Sequence, residues 1–231
     1  MPETAAPRRG RPGGKPKTDR LETARAKILD AALPNIAFDG WTPRLMRDAA
    51  EAAGVSHGEM RLAFPGGILD LVEYFLTDGD RRMEEALAKE DLAAMKIRER
   101  ITLAVRTRIV VDMTWREAMR RAVTMLALPT AGPRGARTLY RTVDAIWRAA
   151  GDTSTDFNFY TKRATLAGVF SAVTLYWFSD DSAGYERTWA FLDRRIEDVM
   201  RFEKAKAAVK GLGAKLPDPF ALLGRLRYRG S

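Results

Sequence analysis

The chain has 231 residues, 46% of them hydrophobic, which is enough to bury the core of one ordinary globular domain with tails. It contains no cysteine, which excludes disulfides and thiolate metal sites and favours a reducing, intracellular setting. Its single histidine, His57, excludes a histidine-based metal cluster or catalytic dyad. The sequence also lacks a phosphate-cradling glycine loop and a nucleophile–base constellation, so it predicts a protein that is not an enzyme and has no metal or cofactor.

The net charge of +9 is concentrated at the two ends of the chain. Residues 1–20 carry +4 and residues 201–231 carry +6, which leaves −1 for the body between them. No apolar run approaches the roughly 18 to 20 residues that span a bilayer, and the N-terminus lacks the core of a signal peptide. We therefore expect a soluble or peripheral protein whose basic ends meet an anionic surface.

The N-terminal part combines a basic arm with a helix-turn-helix pattern. Residues 1–18 are rich in Pro, Gly, Arg and Lys, and they predict a disordered basic arm. Within residues 19–66, helical spacing predicts a helix from Leu21 to Phe38 that Pro34 kinks or trims. Thr42 then caps a helix that ends near Ala53, and Ser56 caps another that ends at Pro65. This order is typical of a helix-turn-helix unit.

Residues 55–67, VSHGEMRLAFPGG, resemble the turn and recognition helix of the TetR family of transcriptional regulators. The scaffold positions Gly58, Phe64 and Pro65 are kept. The positions where the family places DNA-facing aromatic residues hold Arg61 and Ala63 instead, and Glu59 adds negative charge. Because a DNA-binding surface needs positive charge against the phosphates, this motif indicates a fold that is retained without DNA binding.

Residues 67–202 predict a body of further helices. Helical spacing places them at residues 68–88, 97–113, 115–128 and 136–150, and a helix capped within residues 153–156 extends to about Phe178. From Leu166 to Phe178 this last helix has no polar face, so we expect it to be covered on all sides. Such a helix either fills a core or lines a hydrophobic cavity. The residues that would line such a cavity are Tyr160, Val169, Phe170, Val173 and Trp177, with Trp115 and Met119 across from them.

Two apolar surfaces of this body have no evident intramolecular role. One is a stripe at spacings of three and four residues on the last helix of the body, formed by Tyr185, Trp189, Leu192, Ile196 and Val199, which requires a partner surface. The other is an edge with Tyr140, Asp144 and Trp147 beside the core stripe of its helix. This edge is either a protein–protein hot spot or a place where a tryptophan packs half-buried on the body.

Residues 147–164 and 180–200 resemble the Coq-nine family, the lipid-binding accessory proteins of ubiquinone biosynthesis. The resemblance implies an all-α, TetR-like homodimer that binds an isoprenoid lipid or ubiquinone intermediate in the helical body, which makes the cavity-lining residues named above the candidate lipid-lining residues. It also implies docking on membranes and presentation of the lipid to the di-iron demethoxyubiquinone hydroxylase. The dimer would use the stripe from Tyr185 to Val199. The implied partner patch contains Tyr140, Asp144, Trp147, Arg148 and Asp152, although some family members carry an aromatic residue in place of Arg148.

Residues 203–231 predict a basic tail with a short amphipathic helix that begins at Asp218 and Pro219. Its membrane-facing candidates are Phe220, Leu222, Leu223 and Leu226 with Arg225 and Arg227; the alternative interpretation is a frayed basic tail. The leading hypothesis is thus a lipid-presenting accessory protein, cytoplasmic and peripheral to a bacterial inner membrane. The alternative is a TetR-type repressor that binds DNA and a small hydrophobic ligand.

Overall fold

The computed structural model describes residues 17–152 and 157–213, including the side chains of residues 18–152 and 159–201. Every regular element in this part of the chain is a helix, which confirms the predicted all-α class. The basic arm up to residue 16, the predicted cap at residues 153–156 and the tail from residue 214 onward lie outside the described residues. None of the described helices combines the length and hydrophobicity that crossing a bilayer requires.

The first predicted helix is divided at its proline. Helix α1 spans Lys17–Ala32, a 3-10 helix spans Leu33–Asn35, and the short helix α2 spans Ile36–Asp39. Pro34 cannot donate a backbone hydrogen bond, and its ring obstructs the preceding turn of an α-helix. The predicted helix from Leu21 to Phe38 is therefore two α-helices joined by a tighter turn.

The helix-turn-helix pair begins at the two predicted caps. Helix α3 spans Pro43–Ala52, and the Thr42 hydroxyl accepts a hydrogen bond from the Leu45 amide at 3.1 Å. Helix α4 spans His57–Ala63. The Ser56 hydroxyl accepts from the Glu59 amide, and the Glu59 carboxylate accepts from the Ser56 amide, both at 3.3 Å. These bonds satisfy amides that a helix start leaves without partners, and they confirm both predicted caps.

The later helices begin and end within three residues of the predicted positions, with one exception. They are α5 (Ile68–Leu87), α6 (Ile97–Val110), α7 (Arg116–Ala127), α8 (Arg134–Ala149), α9 (Phe157–Trp177) and α10 (Glu186–Gly213). The exception is α10, whose backbone continues past the predicted boundary at residue 202. Its last turns are rich in Ala and Lys, which favour helix, and only Gly211 and Gly213 oppose it. Trp115 lies in a 3-10 helix before α7.

The chain forms two compact units. Of the described residues, unit 1 contains those up to Arg81 and Asp112–Thr138, and unit 2 contains Arg82–Val111 and those from Leu139 onward. Helix α7 joins the helix-turn-helix because the Trp41 indole N–H donates to the Ala118 carbonyl at 3.0 Å. Arg121 also donates to the Ala37 carbonyl at 2.9 Å. Bonds between residues so far apart in sequence leave no signal in local periodicity.

In unit 2, α10 packs against both α9 and α6. The centre of this unit is filled by completely buried side chains, among them Val105, Ile146, Trp177 and Leu192. One face of α9 is nevertheless open, because Leu175 is 59% exposed and Gly168 also faces solvent. The prediction that α9 is covered on all sides is therefore wrong for the single chain, which buries only the opposite face.

Candidate functional site

An apolar groove of about 310 Å³ lies on unit 2. Four helices contribute to it, so that residues distant in sequence form one surface. The lining residues are Ile97, Arg98, Ile101, Trp147, Thr161, Lys162, Thr165, Leu166, Val169, Ile196, Val199 and Met200. The volume lies at the lower end of the range for small-molecule sites, and most of the walls are hydrocarbon. Ile97 and Met200 are substantially exposed although they are hydrophobic. The groove thus offers an apolar ligand a surface that is accessible from solvent.

A polar groove of about 420 Å³ shares Arg98 and Ile196 with the apolar groove. On α6 it is lined by Arg98, Thr102 and Arg106, which are four residues apart and so project from one helix face. On α10 it is lined by the carboxylates Asp193 and Glu197. Because the two grooves share residues, they form one surface with an apolar end and a charged end.

The predicted lipid-lining residues are not brought together. Val169 lines the apolar groove, whereas Phe170, Val173 and Trp177 are buried in the core of unit 2. Tyr160 is 66% exposed and does not line the groove. Trp115 and Met119 belong to unit 1. Sequence reasoning missed Ile97, Leu166 and Met200, because their shared wall comes from packing and not from one stripe.

Trp147, at the end of α8, belongs both to the apolar groove and to the predicted partner patch. Its indole is half-buried, and the N–H donates to the Lys162 carbonyl at 3.3 Å. The Lys162 ammonium lies 5.4 Å from the centre of the same ring, a distance typical of a cation–π contact. On the same helix, Tyr140 and Arg148 are exposed. The patch therefore combines an indole ring held by Lys162 with two accessible side chains.

The other predicted patch residues belong to an ion-pair network around Arg163. This guanidinium is 3% exposed and donates to Asp144 at 2.8 Å and to Asp152 at 3.2 Å. Asp152 also pairs with Lys162 at 2.9 Å, and its side chain is only 5% exposed. Arg148 extends the network by pairing with Asp144 at 3.2 Å. Asp152 thus faces inward, so it is not available to a partner in this conformation. Arg163 and Lys162 were missed because their carboxylate partners lie a helix away.

The predicted dimer stripe is divided between core and groove. Leu192 and Ile196 are buried in unit 2, and Ile196 and Val199 line the apolar groove. The Trp189 indole N–H donates to the Gly184 carbonyl at 2.8 Å, and the Arg106 guanidinium lies 4.8 Å from the ring. In the single chain these residues do not form one free surface, because α10 uses this face to pack on its neighbours.

Asp180 organises the start of α10. Its carboxylate accepts from the amides and hydroxyls of Ser182 and Thr188 at 2.6 to 2.9 Å, and from Arg187 at 3.2 Å. Burial alone would raise the pKa of Asp180, but the hydrogen bonds from Ser182 and Thr188 lower it well below its ordinary value. This acid therefore has a structural role as a charged anchor for the turn between α9 and α10.

The exposed face of α4 offers little positive charge. Hydrogen bonds from the Ser56 hydroxyl and amide lower the pKa of Glu59, whose carboxylate also pairs with Arg20 at 3.1 Å. His57 and Arg61 face solvent on the same helix, beside the exposed Leu62. An ionised Glu59 at this position opposes a nucleic-acid backbone.

Within the described ranges, no group of three or more His, Cys, Asp or Glu side chains is arranged to hold a metal ion. The predicted membrane-facing residues Phe220 to Arg227 lie outside those ranges. The described part of the chain therefore offers the two grooves, the Trp147 surface and the open face of α9 as its candidate binding surfaces.

Comparison with known proteins gives one family. A family model described as COQ9 matches residues 132–203. The chain is 33% identical to the mitochondrial ubiquinone biosynthesis protein COQ9 of Rattus norvegicus over 84% of its own length, and the match spans 64% of that protein. The Homo sapiens protein of the same name is 32% identical, with 84% of this chain and 63% of that protein covered. COQ9-B of Xenopus laevis is 31% identical, with 83% and 68% covered.

Among solved structures, a TetR transcriptional regulator from Nitrosomonas europaea superposes with a TM-score of 0.61. The match covers 76% of this chain and 97% of that one, at 22% sequence identity. At this identity the similarity establishes the fold alone, and it confirms the predicted TetR-like architecture.

Proposed function

The chain belongs to the Coq-nine family, COQ9, and on this premise we propose that it is an accessory protein of ubiquinone biosynthesis. In this proposal it binds an isoprenoid quinone intermediate and presents it to the demethoxyubiquinone hydroxylase, without catalysing a reaction itself. The matched relatives carry ubiquinone biosynthesis in their names, and the chain spans slightly less than two thirds of the length of the Rattus norvegicus and Homo sapiens proteins.

The apolar groove is the observation that carries the lipid part of the proposal. An isoprenoid tail is a branched hydrocarbon, and the groove offers it Ile97, Leu166, Val169 and Met200 on three helices. Burial of apolar surface contributes about 25 cal/mol per Å², so a tail that covers even part of these walls binds favourably. A bound ligand would also remove the exposed Ile97 and Met200 side chains from water, which favours binding.

Presentation to a partner is supported by the place of Trp147. The same half-buried ring lines the groove and lies in the patch with Tyr140 and Arg148. A partner that docks on this patch therefore contacts the rim of the groove, where a bound lipid would pass from one protein to the other. Tryptophan, tyrosine and arginine are the residue types most enriched among the hot spots of protein–protein interfaces.

Membrane association and self-association complete the proposal. The positive charge of residues 201–231 favours an anionic lipid surface, with each nearby basic side chain contributing about 1 kcal/mol. We propose a location in the bacterial cytoplasm, peripheral to the inner membrane. We further propose a homodimer, and the open face of α9 with Leu175 is a better candidate seam than the buried Leu192 and Ile196.

Lipid analysis of the purified protein tests the central claim. Organic extraction followed by mass spectrometry should recover an isoprenoid quinone or its precursor in stoichiometric amount. Thr165→Trp should reduce that amount severalfold, because Thr165 lines the apolar groove and a tryptophan there fills it. Thr102→Trp is the matched control, since Thr102 lines the polar groove instead. A protein that copurifies with no lipid, or equal loss in both variants, would contradict the proposal.

The repressor alternative rests on the fold. It predicts nanomolar binding to an operator fragment with a steep dependence on salt. The ionised Glu59 and the small number of positively charged side chains on α4 argue against DNA binding. An electrophoretic mobility-shift assay with DNA fragments from the genome that encodes the protein decides between the two functions. Tight binding to an operator fragment, reversed by a small ligand, would overturn the accessory role.

A further inference from the structure

We propose that Arg163 is a positioning residue that fixes the Trp147 ring at the rim of the apolar groove. Arg163 is 3% exposed and does not line the apolar groove, and the patch residues that it contacts are the carboxylates of Asp144 and Asp152. Any effect it has on binding is therefore transmitted through its neighbours. The inference deepens the proposed function, because the surface that it concerns is the proposed lipid and partner site.

The geometry around Arg163 is that of a buried clamp. Its Nε donates to Asp144 on α8 at 2.8 Å, and its Nη1 donates to Asp152 in the turn after α8 at 3.2 Å. The same Nη1 donates to the Phe159 carbonyl at 3.3 Å, and the guanidinium lies 3.4 Å from the centre of the Phe159 ring. One side chain thus joins the end of α8, the following turn and the start of α9.

The clamp reaches Trp147 through the residue next to Arg163. Lys162 shares Asp152 with Arg163, and its carbonyl accepts the Trp147 indole N–H. The turn itself is formed by Gly151 with a φ of 85°, a conformation that favours glycine, and the Asp152 amide donates to the Trp147 carbonyl at 3.0 Å. Trp147 is therefore held at both its backbone and its ring by groups that Arg163 holds in place.

A planar guanidinium suits this position and an ammonium does not. Arginine directs donors from different nitrogens at two carboxylates in a fixed fork, whereas lysine offers one compact charge. The Asp152 side chain is only 5% exposed, so losing its bond to Arg163 weakens the compensation of a buried charge, with Lys162 still paired to it. Arg163→Lys keeps the net charge and should release either Asp144 or Asp152, which loosens the turn and the Trp147 ring.

Fluorine NMR of the full chain labelled with 5-fluorotryptophan reports directly on the environment and mobility of the Trp147 ring. The Trp147 resonance is assigned by its disappearance in Trp147→Phe. In Arg163→Lys this resonance should shift or broaden while the other tryptophan resonances stay in place. Arg187→Lys is the matched control, because Arg187 also bridges two aspartates, Asp180 and Asp181, at another turn of unit 2. Asp152→Asn is a second variant, which keeps the Arg163–Asp144 pair and should give the same shift. An unchanged Trp147 resonance in both variants overturns the inference.

Affinity for the hydroxylase gives an independent readout. Arg163→Lys should weaken binding about tenfold, and this loss should vanish in a Trp147→Phe background, since coupled residues are not additive. Equal losses in both backgrounds would mean that Arg163 acts without Trp147, which overturns the inference. If Trp147→Phe alone leaves affinity unchanged, the proposed docking surface is wrong, but the fluorine spectra still decide whether Arg163 positions the ring.

Discussion

Replacing Trp147 with alanine tests whether this residue is an anchor on the surface or a residue of the core. The indole makes one hydrogen bond, to the Lys162 carbonyl, and one cation–π contact with the Lys162 ammonium. A net hydrogen bond contributes about 1 kcal/mol and an exposed cation–π pair about 0.5–1 kcal/mol. The expected loss of unfolding free energy is therefore about 2 kcal/mol, which lowers the melting temperature by about 4–8 °C in a chain of this size. A fully buried tryptophan would cost about 3–5 kcal/mol.

The effect on docking should be larger than the effect on stability. An aromatic anchor at an interface contributes about 2 kcal/mol or more, so Trp147→Ala should weaken hydroxylase binding about thirtyfold or more. The assay is calorimetric titration of the purified hydroxylase, with melting followed by circular dichroism on the same samples. The titration is made well below the melting temperature of the variant.

Trp189→Ala is the matched control for this experiment. Trp189 is also half-buried, with an indole N–H bonded to a carbonyl and an arginine over its ring. It should lose similar stability and keep its affinity for the hydroxylase. Its self-association is measured in parallel, because Trp189 lies in the predicted dimer stripe. Equal affinity losses in the two variants, or a stability loss near 5 kcal/mol for Trp147→Ala, would refute the assignment of Trp147 as an anchor.

Two further variants test the turn before α10 and the open face of α9. The lowered pKa of Asp180 means that its ionised form stabilises the fold above its ordinary pKa of 3.8, and that this contribution is lost as the pH falls further. Asp180→Asn should therefore melt below wild type at neutral pH, with a difference that narrows in strong acid; a constant difference at every pH would contradict it. Leu175→Glu should turn the proposed dimer into a monomer in size-exclusion chromatography with light scattering, because Leu175 is 59% exposed on the proposed seam. Persistence of the dimer would place the seam elsewhere, and Leu128→Glu, at another exposed leucine, is the control.

The helices were predictable because their signals are local. Caps such as Thr42 and Ser56 act within three residues, and hydrophobic spacing repeats within one turn, so most helix ends fell within three residues of the prediction. Helix α10 extends to Gly213, beyond the predicted boundary of the helical body at residue 202. Ala-rich and Lys-rich sequence favours helix regardless of its charge.

The candidate site was only partly predictable because its groups meet through packing. Trp147 and Val169 were identified as surface and lining candidates, and both line the apolar groove. Phe170, Val173 and Trp177 had the same composition signal and are core instead. The hydrophobicity of a residue does not distinguish a position in the wall of the groove from a position in the core, since apolar side chains occupy both.

The sequence by itself determined the helices, the helix-turn-helix order and the family, because capping, periodicity and motif identity are properties of contiguous residues. Only the tertiary structure decided which apolar side chains border the groove and which way the charged residues face. Asp152 was expected at a partner surface and is instead turned inward by Arg163, eleven residues away. A buried charged side chain lies next to a side chain of opposite charge, and the packing of α8 and α9 determines where the two side chains meet.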